Sequence, residues 1–258
     1  MRFIPYVAML LAVAPTTVNA QIWDNCKYQA ERSLSLDAAG ARLLDITAGA
    51  GSLKIEGKAG LSGIRARGHA CASHKDLLDK IQLEGRRSGT TLVVTANKHE
   101  GNFSLRNREY ARLDVVIEVP AGMAADIEDG SGEIDLSGLG AVDIEDGSGD
   151  IVANDIASAT IDDGSGEIRL VDVRGPVSID DGSGEISLQN IAGAIDIDDG
   201  SGEITVRNTK GNVHISDASG GIRVADVAGD FVVSDDGSGD IDYDNVRGRV
   251  AVPRRHRH

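Results

Sequence analysis

An eight-residue motif, Ile-x-Asp-Gly-Ser-Gly-Glu-Ile with Asp or Glu at x in most copies, recurs with small variations through the second half of this chain. Its Asp-Gly-Ser-Gly core recurs every 17–19 residues, once as Asp-Ala-Ser-Gly. The seven copies begin at Asp129, Asp146, Asp163, Asp181, Asp199, Asp217 and Asp236. A fixed period this short is typical of a solenoid, because each repeat is one coil that buries its apolar side only against neighbouring coils.

The apolar residues within one repeat predict how a coil is built. Between Ile161 and Ile179, apolar and polar residues alternate in Ile-Arg-Leu and Val-Ser-Ile, which is typical of strands with one buried face. Clusters of Gly and Asp interrupt these strands where turns are needed. The sequence therefore predicts an all-β fold, a single-chain β-solenoid of stacked 17–19-residue coils whose strands pair in parallel.

The chain divides into four segments. Residues 1–20 resemble a secretory signal peptide, with Arg2 before a short apolar stretch and Val-Asn-Ala before Gln21. Residues 21–125 predict a less regular β region that caps the solenoid, including a strand over 113–119 and a short helix over 73–80 capped by Ser73. Residues 126–250 hold the repeats, and residues 251–258 form a basic tail. No segment after the signal is long and apolar enough to predict a transmembrane span.

Charge is concentrated in the repeats. Residues 126–250 carry 29 Asp and Glu against 7 Lys and Arg, whereas residues 21–125 carry 12 against 15. A surface this acidic repels nucleic acid and attracts cations or a basic protein partner.

Two cysteines, Cys26 and Cys71, are the only ones in the chain. Secretion would place them in an oxidising compartment, so a disulfide between them is plausible, and two free buried thiols are the alternative.

Each repeat places acidic residues before, at the start of and after its turn, so stacking predicts three acidic rows along one edge. One interpretation is structural: each turn Asp accepts hydrogen bonds from the amides of its own corner, and the outer acids are solvated. The alternative is Ca²⁺ held between coils by hard oxygen ligands. The candidate ligands are Asp129, Asp146, Asp163, Asp181, Asp199 and Asp236.

Catalysis has weaker support than binding. A carbohydrate-active β-helix enzyme remains an alternative because paired carboxylates are abundant, but the repeats are nearly uniform and their only aromatic residues are Phe231 and Tyr243. No residue is assigned a catalytic role, and no cofactor is predicted apart from possible Ca²⁺.

The segment Val-Val-Ile-Glu-Val-Pro-Ala-Gly-Met-Ala-Ala-Asp-Ile-Glu-Asp-Gly-Ser-Gly-Glu-Ile (115–134), with the copies that follow it, resembles the bacterial β-strand-repeat putative adhesin family. The Gly-Ser-Leu-Lys-Ile-Glu-Gly segment (51–57) is similar too, and the resemblance covers most of residues 43–250. This resemblance implies a β-solenoid outside the cytoplasm, in the periplasm or at the cell surface, and it implies no catalytic residues. We therefore expect a secreted, non-catalytic binding or structural module of the bacterial envelope, and a calcium-stabilised binding solenoid is the alternative.

Overall fold

The structure is a computed structural model that describes residues 26–96 and 109–253. Its secondary structure is almost entirely β, as the period of the repeat predicts. The strands are β1 (Tyr28–Asp37), β2 (Leu43–Thr47), β3 (Leu53–Lys58), β4 (Gly63–Ala72), β5 (Leu83–Ser88), β6 (Thr91–Ala96), β7 (Ala111–Pro120), β8 (Ala124–Asp129), β9 (Ile134–Ser137), β10 (Ala141–Asp146), β11 (Ile151–Ile156), β12 (Ser158–Asp163), β13 (Ile168–Val173), β14 (Val177–Asp181), β15 (Ile186–Ile191), β16 (Ile195–Asp199), β17 (Gly202–Thr209), β18 (Val213–Asp217), β19 (Gly220–Val227), β20 (Phe231–Asp236), β21 (Ile241–Val246) and β22 (Val250–Ala251). One short helix, α1, spans Lys75–Leu78.

The strands form two 11-stranded sheets, and the repeats alternate between them. Sheet 1 has the order β1-β4-β7-β3-β9-β11-β13-β15-β17-β19-β21. Sheet 2 has the order β22-β20-β18-β16-β14-β12-β10-β8-β2-β6-β5. Every coil from β8 onward contributes one strand to each sheet, and all neighbouring coils pair in parallel. The predicted β-solenoid is confirmed.

Branched aliphatic side chains fill the space between the sheets in continuous ladders. In sheet 1, the isoleucine that follows each acid pairs with its counterpart in the next coil, for example Ile168 with Ile186. Both side chains are fully buried. In sheet 2, Ile161 pairs with Ile179 in the same way. Because the side-chain period of a strand is two, this register places the intervening acidic residues outside.

The N-terminal half extends both sheets, but its strands are not stacked in chain order. The coil formed by β2 and β3 lies between the coil of β6 and β7 and the first repeat coil, because β2 pairs with both β6 and β8 and β3 with both β7 and β9. Beyond the coil of β6 and β7 the pairing becomes antiparallel, with β4 on β7, β1 on β4 and β5 on β6. These antiparallel strands end the solenoid on that side.

Helix α1 is shorter than predicted and is not capped by Ser73. Its N-cap residue is His74, which makes no side-chain capping bond. The Ser73 hydroxyl instead contacts His74 Nδ1 at 3.0 Å and accepts a hydrogen bond from the Tyr110 amide at 3.1 Å. Tertiary contact with the segment before β7 therefore replaces the local cap. Within the part of the chain that the structure describes, no helix is long and apolar enough to cross a membrane.

A disulfide joins Cys26, just before β1, to Cys71 in β4, with their Cα atoms 5.6 Å apart. Strands β1 and β4 are antiparallel neighbours, and Gln29 pairs with Cys71. The bond therefore fastens the outermost strand of sheet 1 to the strand beside it. The signal segment 1–20 and the tail residues 254–258 lie outside the described residues.

Candidate functional site

The Asp-Gly-Ser-Gly corners connect a sheet 2 strand to the following sheet 1 strand, and they stack in register along one edge of the solenoid. The first Asp of each corner pairs with its counterpart in the next coil, as Asp163 does with Asp181. We call this row the corner ladder. Its members are Asp129, Asp146, Asp163, Asp181, Asp199, Asp217 and Asp236.

Backbone amides of the same corner hold the aspartates in place. The Ser183 amide donates to Asp181 Oδ1 at 3.0 Å, and the Ser201 amide donates to Asp199 Oδ1 at the same distance. Asp163 and Asp217 accept equivalent bonds from Ser165 and Ser219. The predicted turn, in which the Asp accepts from its own corner, is confirmed for these four coils.

The second glycine of the corner is required by the stacking of coils. Gly184 has φ +154°, and a Cβ atom added there would lie 1.7 Å from the carbonyl oxygen of Gly166 in the preceding coil. No other residue fits so close to a neighbouring backbone. The Asp-x-Ser-Gly pattern thus follows from one turn geometry repeated at every coil.

The sequence does not reveal how deeply these aspartates are buried. Asp163, Asp181, Asp199 and Asp217 are only 1–2% exposed. Their second carboxylate oxygens, Oδ2, are also buried and have no hydrogen-bond partner among the described residues. Burial places a carboxylate where its charged form is poorly solvated, so the ladder favours the neutral form.

Burial raises the pKa values of the ladder members from Asp129 to Asp217 for that reason. Desolvation raises the pKa of Asp129 to about 7, that of Asp163 to about 6 and that of Asp199 to about 7. Charge on neighbouring members adds to the effect, since Asp181 and Asp217 both raise the pKa of Asp199. The amide bonds from the corner act in the opposite direction but do not offset burial.

The corner ladder brings the six candidate calcium ligands into one row, but it does not by itself form a cage. Among the described residues, no three His, Cys, Asp or Glu side chains form a group that could hold a metal ion. Calcium takes six to eight oxygen ligands, so an ion here would also need backbone carbonyls and water. Calcium binding by the ladder stays a prediction.

The outer surface of sheet 2 carries a second acidic feature, which we call the carboxylate face. It is formed by the outward side chains of β8, β10, β12, β14, β16, β18 and β20, and these strands contain no Lys or Arg. Its acidic members are Asp126, Glu128, Asp143, Glu145, Asp162, Asp180, Asp196, Asp198 and Asp235. One histidine, His214, lies on this face, with its Nδ1 2.8 Å from Asp196 Oδ1. The face is therefore almost purely anionic.

The opposite corner, where the chain leaves sheet 1, carries a row that the sequence analysis missed. One residue of each coil adopts a positive φ of 51–60° there, and the six are Asp155, Asp172, Asn190, Asn208, Asp226 and Asn245. Asn and Asp tolerate this left-handed conformation better than other side chains. The signal was an Asn or Asp followed by Ile, Val or Thr at the repeat period, a weaker pattern than the glycine-rich motif.

Comparison with known proteins adds a family. The Toastrack model, DUF4097, matches residues 64–247. The chain belongs to the Toastrack family. The match covers most of the chain and includes every repeat coil up to β21, so the Toastrack fold is the two-sheet solenoid described above. None of the curated proteins matches this Toastrack chain.

Solved structures align with this Toastrack protein over most of its length but at low similarity. A putative cell adhesion protein from Clostridium sporogenes ATCC 15579 is 16% identical with a TM-score of 0.35, covering 87% of this chain and 99% of its own. A putative adhesin from Bacteroides fragilis NCTC 9343 is 13% identical with a TM-score of 0.40, covering 88% and 98%. A putative lipid binding protein from Parabacteroides distasonis ATCC 8503 is 12% identical with a TM-score of 0.30, covering 87% and 97%. At these scores the likeness carries no functional argument.

Proposed function

We propose that this Toastrack protein is an extracytoplasmic, non-catalytic, adhesin-like binding module of the bacterial envelope, and that its carboxylate face takes a basic partner. The observation that carries the proposal is the segregation of charge between the two sheets. The repeat strands of sheet 2 carry acidic residues and His214 but no Lys or Arg, whereas Arg169, Arg207 and Arg223 lie on repeat strands of sheet 1. A nearly uniform, extended surface of this kind suits recognition of an extended partner.

Repulsion within the carboxylate face favours binding of a cation-rich partner. Parallel pairing sets Asp162 beside Asp180 and Asp180 beside Asp198. Neighbouring strands lie about 4.8 Å apart, and unit charges at that distance repel by about 1 kcal/mol in water. A partner that presents several Lys or Arg side chains would relieve this repulsion along the whole face, and opposite charge would also speed its association.

The proposal is tested by binding of the purified mature chain to immobilised polylysine, with polyglutamate as the negative probe. The test variant is Asp162→Asn/Asp180→Asn, which removes two charges from the carboxylate face. The control is Asp172→Asn/Asp226→Asn, because Asn already occupies equivalent positions of that row in other coils. We expect the test variant to bind polylysine several-fold more weakly than the control variant. Equal losses would show that only net charge matters and would contradict a specific face.

A further inference from the structure

The first Asp-Gly-Ser-Gly corner, at Asp129, makes a backbone contact that differs from those of the later copies. In each later Asp-Gly corner the glycine amide donates to the main-chain carbonyl of the aspartate one coil earlier, as Gly182 does to Asp163 at 2.9 Å. These glycines are Gly147, Gly164, Gly182, Gly200 and Gly237. The Gly130 amide instead donates to Asp129 Oδ1 at 2.9 Å. The nitrogen of Gly130 is therefore held against the carboxyl group of the residue before it.

The first corner is also packed less tightly against the coil before it. A Cβ atom added at Gly130 would have its nearest neighbour at 3.9 Å, the Cα atom of Gly49, whereas one added at Gly200 would lie 2.4 Å from the Gly182 carbonyl oxygen. The Ser131 amide reaches the Gly49 carbonyl oxygen at 3.4 Å. Gly130 is exposed to solvent. The backbone of this corner therefore has space around it and is open to water.

We propose that Asp129–Gly130 is a site of spontaneous covalent modification, at which the folded chain converts aspartate into isoaspartate through a succinimide ring. The Gly130 nitrogen bonds to Asp129 Cγ, the bond from Cγ to its hydroxyl breaks, and the hydroxyl leaves with the amide proton as water. Water then adds at the main-chain carbonyl carbon of Asp129 and breaks its bond to the Gly130 nitrogen. The chain is left linked through Cγ. One water is released and one is consumed, so no other reactant takes part.

The protonation state of the carboxyl group supports this chemistry. The ring closes on the neutral carboxyl, because a carboxylate offers no hydroxyl as a leaving group. Burial, with the charge of Asp146, raises the pKa of Asp129 to about 7, so the neutral form persists near neutral pH. Burial also raises the pKa of Asp199 to about 7. Protonation is therefore shared with other corners, and the contact with the Gly130 nitrogen distinguishes the first one.

The modification would alter the contact between the first two repeat corners. Isoaspartate lengthens the main chain by one carbon atom and converts the main-chain carbonyl of Asp129 into a free carboxylate. That carbonyl accepts a hydrogen bond from the Gly147 amide at 3.2 Å. The corner ladder would thus be disturbed at its first member, where the repeats meet the coil of β2 and β3.

Peptide mapping of the mature chain during incubation at physiological temperature and neutral pH tests the proposal. Electron-transfer fragmentation distinguishes isoaspartate from aspartate, which has the same mass. The other Asp-Gly dipeptides are internal controls, because each is followed by the same Ser-Gly, and they begin at Asp146, Asp163, Asp181, Asp199 and Asp236. In the folded chain we expect isoaspartate to form at Asp129 at least about tenfold faster than at any control, because rate depends on how the reacting atoms are held. In urea all of these sites should react within about twofold of one another, because the corner geometry is lost.

Variants separate geometry from protonation. Asp129→Asn and Asp146→Asn form the same ring with ammonia as the leaving group, without any need for a protonated carboxyl, and deamidation is read as a gain in mass. In the folded chain it should be at least about tenfold faster in Asp129→Asn than in Asp146→Asn. Gly130→Ala, whose methyl group the space at this corner admits, should slow isoaspartate formation at Asp129 while leaving the melting temperature close to that of the unchanged chain.

Several outcomes would overturn the proposal. Equal rates at all Asp-Gly corners of the folded chain, faster reaction at a later corner, or no isoaspartate at Asp129 would each do so. Equal deamidation of Asp129→Asn and Asp146→Asn in the folded chain would show that the Gly130 contact does not direct the reaction.

Discussion

Glycine at the third position after each corner aspartate is the residue on which the stacking of coils most directly depends. At Gly184 a side chain would collide with the Gly166 carbonyl oxygen, and the collision partner is backbone rather than a movable side chain. Gly89 also has a positive φ, of +62°, but nothing lies within 4 Å of the position of its Cβ. Gly89 therefore isolates the cost of backbone conformation, whereas at Gly184 a steric collision with backbone is added to it.

We expect Gly184→Ala to lower the free energy of unfolding by about 3 kcal/mol or more, because the coils must separate locally to admit the methyl group. Gly89→Ala should cost only about 1 kcal/mol, the strain of a left-handed alanine. Urea denaturation monitored by circular dichroism would measure both. Similar small losses in the two variants would mean that the coils do not approach each other as closely as the structure shows.

Asp199 provides the second prediction at the residue scale, on pH. Its pKa in the folded chain is raised to about 7 from a usual value of 3.8. A raised pKa means that folding favours the protonated carboxyl. Its contribution to stability is therefore fully present below about pH 4 and is lost as pH rises toward 7. We expect the melting temperature to be higher at pH 5 than at pH 8.

The adjacent pair Asp198 and Asp199 offers a matched test of this pH dependence. Asp199→Asn removes the buried charge while its amide oxygen still accepts from Ser201 and its amide nitrogen can donate to a neighbouring carboxylate. It should raise the melting temperature at pH 8 and flatten the profile between pH 5 and pH 8. Asp198→Asn removes an exposed charge from the same coil that is the smallest of the contributions raising the pKa of Asp199, so it should change the profile much less than Asp199→Asn does. Identical profiles for both variants would contradict a buried, proton-favouring corner ladder.

At the scale of elements, the repeats could be predicted from the sequence and the N-terminal strands could not. Every strand from β8 onward is indicated by a local pattern of alternating apolar and polar residues between glycine-rich corners. Each of these strands pairs with the corresponding strand of the next coil. The coil of β2 and β3 lies between strands that come much later in the chain, β6 to β9. Nothing in the local pattern of Leu43–Thr47 specifies those neighbours, because any sheet 2 strand with the same alternation would accept it.

The candidate site, too, could be predicted from the sequence only in part. The corner turns and the acidic rows were predictable because Asp-Gly-Ser-Gly encodes both the turn and its spacing. Burial of the Asp side chain depends on how closely adjacent coils pack, which a one-dimensional pattern does not contain. The left-handed row of Asn and Asp residues was missed because an Asn or Asp before a β-branched residue is a weaker pattern than the glycine-rich motif.

The disulfide gives a prediction for the N-terminal strands. Cys26 and Cys71 hold β1 against β4, and among the described strands β1 pairs with β4 alone. We expect reduction to increase hydrogen exchange in β1 and β4 first, while strands β10 to β19 keep their protection. Hydrogen-exchange mass spectrometry with and without reductant measures this. Uniform loss of protection along the whole chain would contradict a locally acting bond.

At the scale of the whole molecule, two continuous sheets join a weakly basic N-terminal half to strongly acidic repeats. The net charge of residues 126–250 is −22, from 29 acids and 7 bases, so added cations should stabilise the fold. Nonspecific screening treats all divalent ions alike, and monovalent salt reproduces it at higher concentration. Ordered sites behave differently, because they saturate and because they select among ions.

The calcium hypothesis for the corner ladder predicts selection and saturation together. Calcium accepts a flexible shell of carboxylate, carbonyl and water oxygens, whereas magnesium keeps its own waters more firmly. At pH 8, where the ladder is most ionised, calcium should raise the melting temperature more than equal magnesium and reach a plateau, following RT ln(1 + [Ca²⁺]/Kd). Asp163→Asn/Asp181→Asn/Asp199→Asn should abolish that difference, and Asp162→Asn/Asp180→Asn/Asp198→Asn, which removes equal charge from the exposed row, should preserve it. Superimposable calcium and magnesium titrations of the unchanged chain would remove the hypothesis and leave the corner amides and protons as the partners that stabilise the ladder.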